Sequence, residues 1–206
     1  MTRRIFSCFC VSIYVWLVML SGCGSRQAYN KKYYVLSTRR ETKSIQDEKD
    51  SILEVRHFTI DSAFSGKGLV YRIGEFEYES DFYNELLVSP SAMITEKARA
   101  WLSESGLCKR VLDPGSQIDP THIIEGNITA FYGDFSDKLS PAAVMEIRVF
   151  LLEMKTGKEP VIVFGKTYNI SVAIESKSPG ILVSALDRCL IKTLTNLEKD
   201  LAERLL

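Results

Sequence analysis

The fold is decided by residues 124–132, which read Ile-Glu-Gly-Asn-Ile-Thr-Ala-Phe-Tyr, and by the two apolar runs after them. Apolar or small side chains recur at every second position in residues 124–132, in Met145–Leu151 and, except at Lys166, in Ile162–Ile174. This period of two is typical of β-strands that bury one face. Because the link between the second and third runs, Lys155–Lys158, is short, we expect those two strands to pair antiparallel.

Two helices are predicted beside these strands. Each follows a Ser-Pro pair, in which serine is a favoured cap and proline suits the first helical position. Four apolar residues follow Ser89-Pro90 on one face, namely Ile94, Ala98, Trp101 and Leu102, and Gly106 ends that helix. Leucines at steps of three and four follow Ser178-Pro179, at positions 182, 186, 190, 194, 197, 201 and 205. Such a stripe is typical of a helix that covers a sheet, although its last turns are also suited to a partner helix or a second copy.

The residues before the first helix are mostly extended in character. Tyr33–Leu36 predicts a first strand, and the polar stretch Thr38–Asp50 predicts a solvated loop. Leu53–Phe64 and Leu69–Ile73 are extended runs separated by a glycine-containing break, which suggests a hairpin. Phe76 and Tyr78 then alternate with Glu75, Glu77 and Glu79, as in a half-solvated strand edge. The expected fold is a single α/β domain with a mixed, largely antiparallel sheet and two main helices packed on it.

The N-terminal segment has the character of a secretory signal peptide. Arg3 and Arg4 precede the apolar run Ile5–Leu20, and small residues follow it. The alternative is an uncleaved membrane helix. The run is shorter than the ~20 apolar residues that such a helix needs, and serines interrupt it.

The tetrapeptide Leu20-Ser21-Gly22-Cys23 resembles the lipobox of bacterial lipoproteins. The resemblance implies cleavage before Cys23, attachment of a diacylglycerol to its sulfur, and acylation of the new N-terminus. Gly24, rather than aspartate, follows the cysteine, which implies the periplasmic face of the outer membrane. We expect a signal peptide at residues 1–22, a lipidated N-terminus and tether at 23–32, and the folded domain at 33–206.

The composition and the spacing of residues limit which partners and ligands we expect this chain to bind. The chain has 26 basic and 26 acidic residues, with no basic run that would favour nucleic acid. In the predicted mature part, Cys108 and Cys189 are either small buried side chains or a disulfide pair. The two histidines, His57 and His122, have no partners at metal-ligand spacing, so no metal site is predicted.

Catalytic motifs are lacking in the sequence. There is no G-x-S-x-G, no glycine-rich phosphate loop and no H-E-x-x-H. The acids Glu75, Glu77 and Glu79 are explained by a solvated edge. We therefore expect a binding module that is not an enzyme and needs no cofactor, and an envelope hydrolase is a remote alternative.

Several segments resemble the ABC-type transport auxiliary lipoprotein family. They are Leu69-Val70-Tyr71-Arg72, Tyr78, Phe82-Tyr83, the helix that Pro90 opens and that ends at Trp101–Leu107, Glu125–Thr129 and Asp134-Phe135. A tryptophan common in the family before the helix proline is replaced within Glu85-Leu86-Leu87. The resemblance implies an outer-membrane lipoprotein that works beside an ABC transporter and an MCE-type lipid-binding subunit, moving phospholipid or other hydrophobic molecules.

Four residues in these segments are candidates for a partner-binding surface: Tyr71, Arg72, Tyr78 and Tyr83. Tyrosine and arginine carry interface energy well. The alternative is a core tyrosine beside a structural arginine pair. A homo-oligomer is possible, and the alternative function is a lipoprotein plug or assembly factor for an outer-membrane β-barrel.

Overall fold

The computed structural model describes residues 30–41 and 49–205. These residues form a mixed sheet and two helices. Cys23, the predicted signal peptide, most of the predicted tether and residues 42–48 of the predicted loop lie outside the described residues. The strands are β1 (Lys32–Tyr34), β2 (Lys49–Val55), β3 (Thr59–Ile60), β4 (Gly68–Arg72), β5 (Tyr78–Leu86), β6 (Cys108–Val111), β7 (His122–Asp134), β8 (Ala142–Glu153) and β9 (Val161–Ala173). The helices are α1 (Pro90–Ser105) and α2 (Pro179–Ala202), and a 3₁₀ turn spans Ser62–Phe64.

Strand β7 pairs along both of its edges. On one edge β8 lies antiparallel to it over its whole length, and β9 lies antiparallel to β8. On the other edge β2, β3 and β4 follow one another along β7, all parallel to it. β6 extends the sheet beyond β2, while β5 and then β1 extend it beyond β4. The predicted mixed, largely antiparallel sheet is confirmed.

The predicted strand pattern is interrupted in β7. Met145, Ile147, Val149 and Leu151 of β8 are all buried, as expected. In β7 a bulge between Ile128 and Ala130 shifts the register. After it Phe131 is buried and Tyr132 only partly so, the reverse of the predicted order. A bulge adds one residue and therefore exchanges the two faces of the strand.

Both helices form where the sequence predicted them. Helix α1 begins at Pro90 and is followed by Gly106 with a φ of 71°, although the Ser89 hydroxyl makes no capping hydrogen bond. Every leucine of the predicted stripe is buried, including Leu197 and Leu201 in the last turns of α2 and Leu205 just beyond its end. The stripe therefore covers the sheet, and its last turns are not left open to a partner helix.

The predicted hairpin between residues 53–64 and 69–73 is wrong. β2 and β3 pair with β7, and the antiparallel partner of β4 is β5. The hairpin turn lies instead at residues 73–77, where the N–H of Ile73 donates to the carbonyl of Glu77 at 2.9 Å. Phe76 therefore belongs to a turn, and β5 begins at Tyr78. β2 begins at Lys49, inside the predicted loop.

A buried ion pair holds the segment after β1 across the two helices. The Arg40 guanidinium donates to both carboxylate oxygens of Glu198 on α2, at 2.9 and 2.8 Å. The indole N–H of Trp101 on α1 donates to the same carboxylate at 2.7 Å. Removing one partner would leave a buried charge without compensation, which destabilises a fold strongly.

Cys108 and Cys189 are both buried, and no disulfide joins them. The Cys189 thiol lies 3.6 Å from the carbonyl of Ala143. The interpretation of both residues as small buried side chains is the one the structure supports. Among residues 30–41 and 49–205, neither helix is both long enough and apolar enough to cross a bilayer.

A substitution at Gly126 of β7 tests how tightly the core beneath the sheet is packed. A Cβ at this position would lie 2.7 Å from the ring of buried Phe58. We expect Gly126→Ala to lower the free energy of unfolding by about 1–3 kcal/mol, because an overfilled core must shift. Urea denaturation measures this value. The matched control is Gly180→Ala in α2, where an added Cβ meets no atom within 4 Å; equal losses in both variants would contradict the packing.

Candidate interaction surface

The structure brings the four predicted surface residues together in two pairs: Arg72 and Tyr78 are register partners, and Tyr71 and Tyr83 line one surface depression. Tyr71 and Arg72 lie on β4, while Tyr78 begins β5 and Tyr83 lies further along that strand. Tyr71 is buried, Arg72 is partly buried, and the other two are almost half exposed. The four therefore lie close together but differ in exposure, and only Tyr78 and Tyr83 present much of their side chains to solvent.

Tyr71 is a core tyrosine. Its hydroxyl donates to Oδ2 of Asp81 at 3.1 Å, and its ring lies 5.9 Å from that of Phe135. The ammonium of Lys177 stands 5.1 Å from the centre of the Tyr71 ring. Burial, and then the Asp81 charge, raise the pKa of Tyr71. A partner would reach this side chain only if the surrounding residues moved.

Arg72 connects β4 to β7 and to the turn after β4. Its guanidinium donates to Asp134 Oδ2 at 3.2 Å and to the carbonyls of Gly74 and Glu75. Arg72 and Asp134 are also register partners. These bonds fix the shape of the 73–77 turn, so the side chain is structural in this position.

Asp81 builds a large bulge in β5. Gly68 of β4 is the register partner of Glu85, whereas Val70, only two residues later, is the partner of Ser80. Residues 81–84 of β5 therefore have no partner in β4 and bulge out of the β4–β5 ladder. The Asp81 carboxylate accepts the backbone N–H groups of Tyr83 and Asn84, both at 2.9 Å, and the amide of Asn84 at 3.0 Å. One side chain thus closes the bulge internally, as in an Asx turn.

Gly68 allows the bulge to pack against β4. A Cβ at Gly68 would lie 2.5 Å from the Ser80 hydroxyl and 2.8 Å from the Asp81 carbonyl. A carbonyl of the main chain cannot move aside as the end of a side chain can. Any larger residue at this position would displace the bulge.

The bulge displays an aromatic pair to solvent. Phe82 is 67% exposed and contacts Tyr83 edge to face, with ring centres 5.2 Å apart. The Lys31 ammonium lies 4.2 Å from the centre of the Phe82 ring and forms an ion pair with Glu85. Glu85 is the register partner of Tyr33 in β1, which is 56% exposed. We call the exposed set Tyr33, Phe82, Tyr83 and Leu87 the β1–β5 patch.

A second apolar surface lies at one end of the sheet. Phe76, at the 73–77 turn, is 88% exposed, and Leu139, in the loop after β7, is 93% exposed. The two loops start side by side at neighbouring strand ends, where the N–H of Phe135 donates to the Arg72 carbonyl at 2.8 Å. Tyr78 borders this end and packs edge to face on Tyr132, with ring centres 5.6 Å apart. We call Phe76, Tyr78 and Leu139 the sheet-end surface.

Sequence reasoning missed Phe76, Phe82 and Leu139 as surface candidates. Two signals were present. Phe76 stands between Glu75 and Glu77, as a turn residue often does, and Asp81 precedes Phe82 at the spacing of an Asx turn. The sequence carries no comparable signal for Leu139.

Other parts of the described chain are weaker candidates for a binding or catalytic site. No group of three or more His, Cys, Asp or Glu side chains in residues 30–41 and 49–205 is placed to hold a metal ion. A cavity of about 650 Å³ lies between β2, α1 and the loop before β7. Arg99 lines this cavity, but its guanidinium already donates to Glu96 at 2.8 Å and to the Val55 carbonyl.

The fold is similar to that of several solved structures, although no family model and no curated protein matches the sequence. Protein XCC0632 from Xanthomonas campestris, described with the family model DUF330, superposes with a TM-score of 0.67 at 16% identity, covering 81% of this chain and 92% of that one. An uncharacterized protein matches with a TM-score of 0.64 at 15% identity, over 83% and 98% of the two chains. Hypothetical protein CT253 from Chlamydia trachomatis gives 0.51 at 9%, over 74% and 98%. At these identities the likeness shows a shared fold.

Asp81 makes the stability of the bulge depend on pH. Burial alone would raise the pKa of Asp81, but the hydrogen bonds from Asn84, Tyr83 and Tyr71 outweigh it and hold that pKa below its usual value. A lowered pKa stabilises the fold above the unfolded value near ~4, and the contribution is lost as the pH falls through the folded pKa.

We therefore expect Asp81→Asn to lower the free energy of unfolding by about 1–2 kcal/mol at pH 7, with the gap to the wild type closing below pH ~4. Urea denaturation of both proteins between pH 3 and pH 7 measures this gap. A gap that is constant over that range would contradict the role of the carboxylate.

Proposed function

We propose that this chain is a non-catalytic lipoprotein, anchored through Cys23 to the periplasmic face of the outer membrane. It serves as an auxiliary component of an ABC/MCE-type transport system that moves phospholipid or other hydrophobic molecules across the envelope. The observation that carries the proposal is the sheet-end surface, where bulky apolar side chains stand in solvent on a well-packed body.

The anchor is supported by the Leu20-Ser21-Gly22-Cys23 sequence. Each buried methylene stabilises membrane attachment by about 0.8 kcal/mol, so one acyl chain is marginal and several hold a protein durably. A body held in this way works at a surface and meets partners that span the periplasm.

The transport role is supported by a likeness in sequence, and the fold is compatible with it. In sequence, the segments around Tyr71, Tyr78 and Trp101 resemble the auxiliary lipoprotein family. In fold, the chain is similar to a DUF330 protein over most of both chains. The sequence likeness favours a protein of the transport-auxiliary kind, and the fold likeness agrees with the mixed α/β fold that this resemblance implies.

The sheet-end surface is suited to a protein partner. Phe76 and Leu139 are almost fully exposed, whereas a side chain of this size stabilises a complex by about 1.5–3 kcal/mol when it is fully buried. The turn that carries Phe76 is held by the Arg72 bonds, so docking would order little additional chain. Tyr78 adds an amphipathic ring at the border.

The test is recovery of an MCE-domain subunit after crosslinking in cells that produce the full-length chain. We expect Phe76→Asp to reduce recovery about tenfold or more, because about 1.5 kcal/mol or more of apolar burial is lost. The matched control is Ile118→Asp, an exposed apolar residue in the loop before β7, at the opposite end of that strand and about 40 Å away.

Two further readouts separate the parts of the proposal. Radioactive palmitate should label the wild type and not Cys23→Ser. Failure to recover any MCE-domain subunit from the wild type would contradict the transport role. Recovery of an outer-membrane β-barrel in its place would favour the plug or assembly-factor function.

A further inference from the structure

We propose that the β1–β5 patch is a bilayer-contacting surface: its aromatic side chains lie among the lipid headgroups of the membrane to which the chain is anchored, and they orient the domain there. The inference rests on the proposed lipidation at Cys23. It adds a second, non-covalent membrane contact made by the folded domain itself.

The short distance along the chain from Cys23 to the patch is the first support. Seven residues, Gly24 to Asn30, separate Cys23 from Lys31. Even a fully extended chain of that length reaches only about 28 Å. Lys31 contacts the Phe82 ring directly, and Tyr33 follows two residues later. The patch is therefore the part of the described domain where the tether enters.

The chemistry of the patch is the second support. Tyrosine and other amphipathic aromatic rings are enriched at the level of the headgroups, where one end of the ring is apolar and the other is wet. The patch combines two tyrosines with Phe82 and Leu87. The Asp81 hydrogen bonds hold Phe82 and Tyr83 outward, so the fold keeps these rings in water when no second surface is present.

The two lysines beside the aromatic rings of the patch are paired with carboxylates, and a third, Lys67, donates to the Leu87 carbonyl at 3.2 Å. Lys31 forms an ion pair with Glu85, and Lys177, which lines the same surface depression as Phe82 and Tyr83, forms one with Glu79 at 2.9 Å. With the two lysines beside the rings paired, Lys67 supplies only a minor attraction to anionic headgroups, and apolar burial is the main driving force. We therefore expect the contact to form on zwitterionic vesicles and to change little with salt.

The anchor makes a weak contact sufficient. A patch of four side chains binds a bilayer only weakly when it is free in solution. A short tether holds it at an effective concentration in the mM range, so that the contact is occupied without any gain in intrinsic affinity. The lipid anchor and the patch thus act as two linked membrane signals.

The experiment uses the mature, full-length lipoprotein in phosphatidylcholine vesicles whose acyl chains carry bromine, which quenches nearby tryptophan. Phe82→Trp places the reporter in the patch. Ile162→Trp is the matched control, at an exposed apolar position of β9, five strand steps from β1 and so about 24 Å across the sheet. Trp101 is buried and common to both proteins.

We expect brominated lipid to reduce the fluorescence of Phe82→Trp about twofold or more, and that of Ile162→Trp little. Adding Tyr33→Asp to Phe82→Trp should remove most of the quenching, because a charge would enter the headgroup region. Mass spectrometry of the same samples reports whether Cys23 is lipidated.

The outcomes separate the two proposals. A lipidated chain with equal quenching at both positions overturns the membrane contact and leaves the anchor intact, which would assign the patch to a protein or to a second copy. Quenching that persists with Tyr33→Asp also overturns it. A chain without lipid at Cys23 overturns the anchor and, with it, the argument for this contact.

Discussion

The pairing of β7 along both edges is the constraint on which the rest of the structure depends. One edge of β7 is filled by β8, so three separate short strands must share the other. β4 takes the last part of that edge, and β5 and β1 can then only extend the sheet outward. This arrangement brings the N-terminal strand and the aromatic bulge together at one edge of the sheet. It also joins the 73–77 turn to the end of β7.

The two exposed apolar surfaces consequently lie at different places on one rigid body. The sheet-end surface is fixed by the Arg72 bonds to the turn and to Asp134. The β1–β5 patch is fixed by Asp81 and by the contact of Lys31 with Phe82. A body with one apolar surface beside its tether and another elsewhere is suited to connect a membrane with a second component. Such a division needs no catalytic group, which agrees with the proposed function.

Much of the fold follows from local patterns in the sequence. The helices at Pro90 and Pro179 and the β8–β9 pair were predictable, because caps, stripes and a short turn act over a few residues. The positions of β2 and β3 were not, since these strands pair with β7 across about 70 residues of chain, and no local signal encodes that register. The exposure of Phe82 depends on a bulge closed by Asp81, and the burial of Tyr71 depends on the same carboxylate. Both required the tertiary structure.

The most direct test of the account is photo-crosslinking in living cells, with a benzoylphenylalanine placed at position 82 or at position 76 of the full-length chain. We expect a phospholipid adduct from position 82 and an adduct with an MCE-domain subunit from position 76. Capture of protein and no lipid at position 82, or of the same component at both positions, would contradict these assignments.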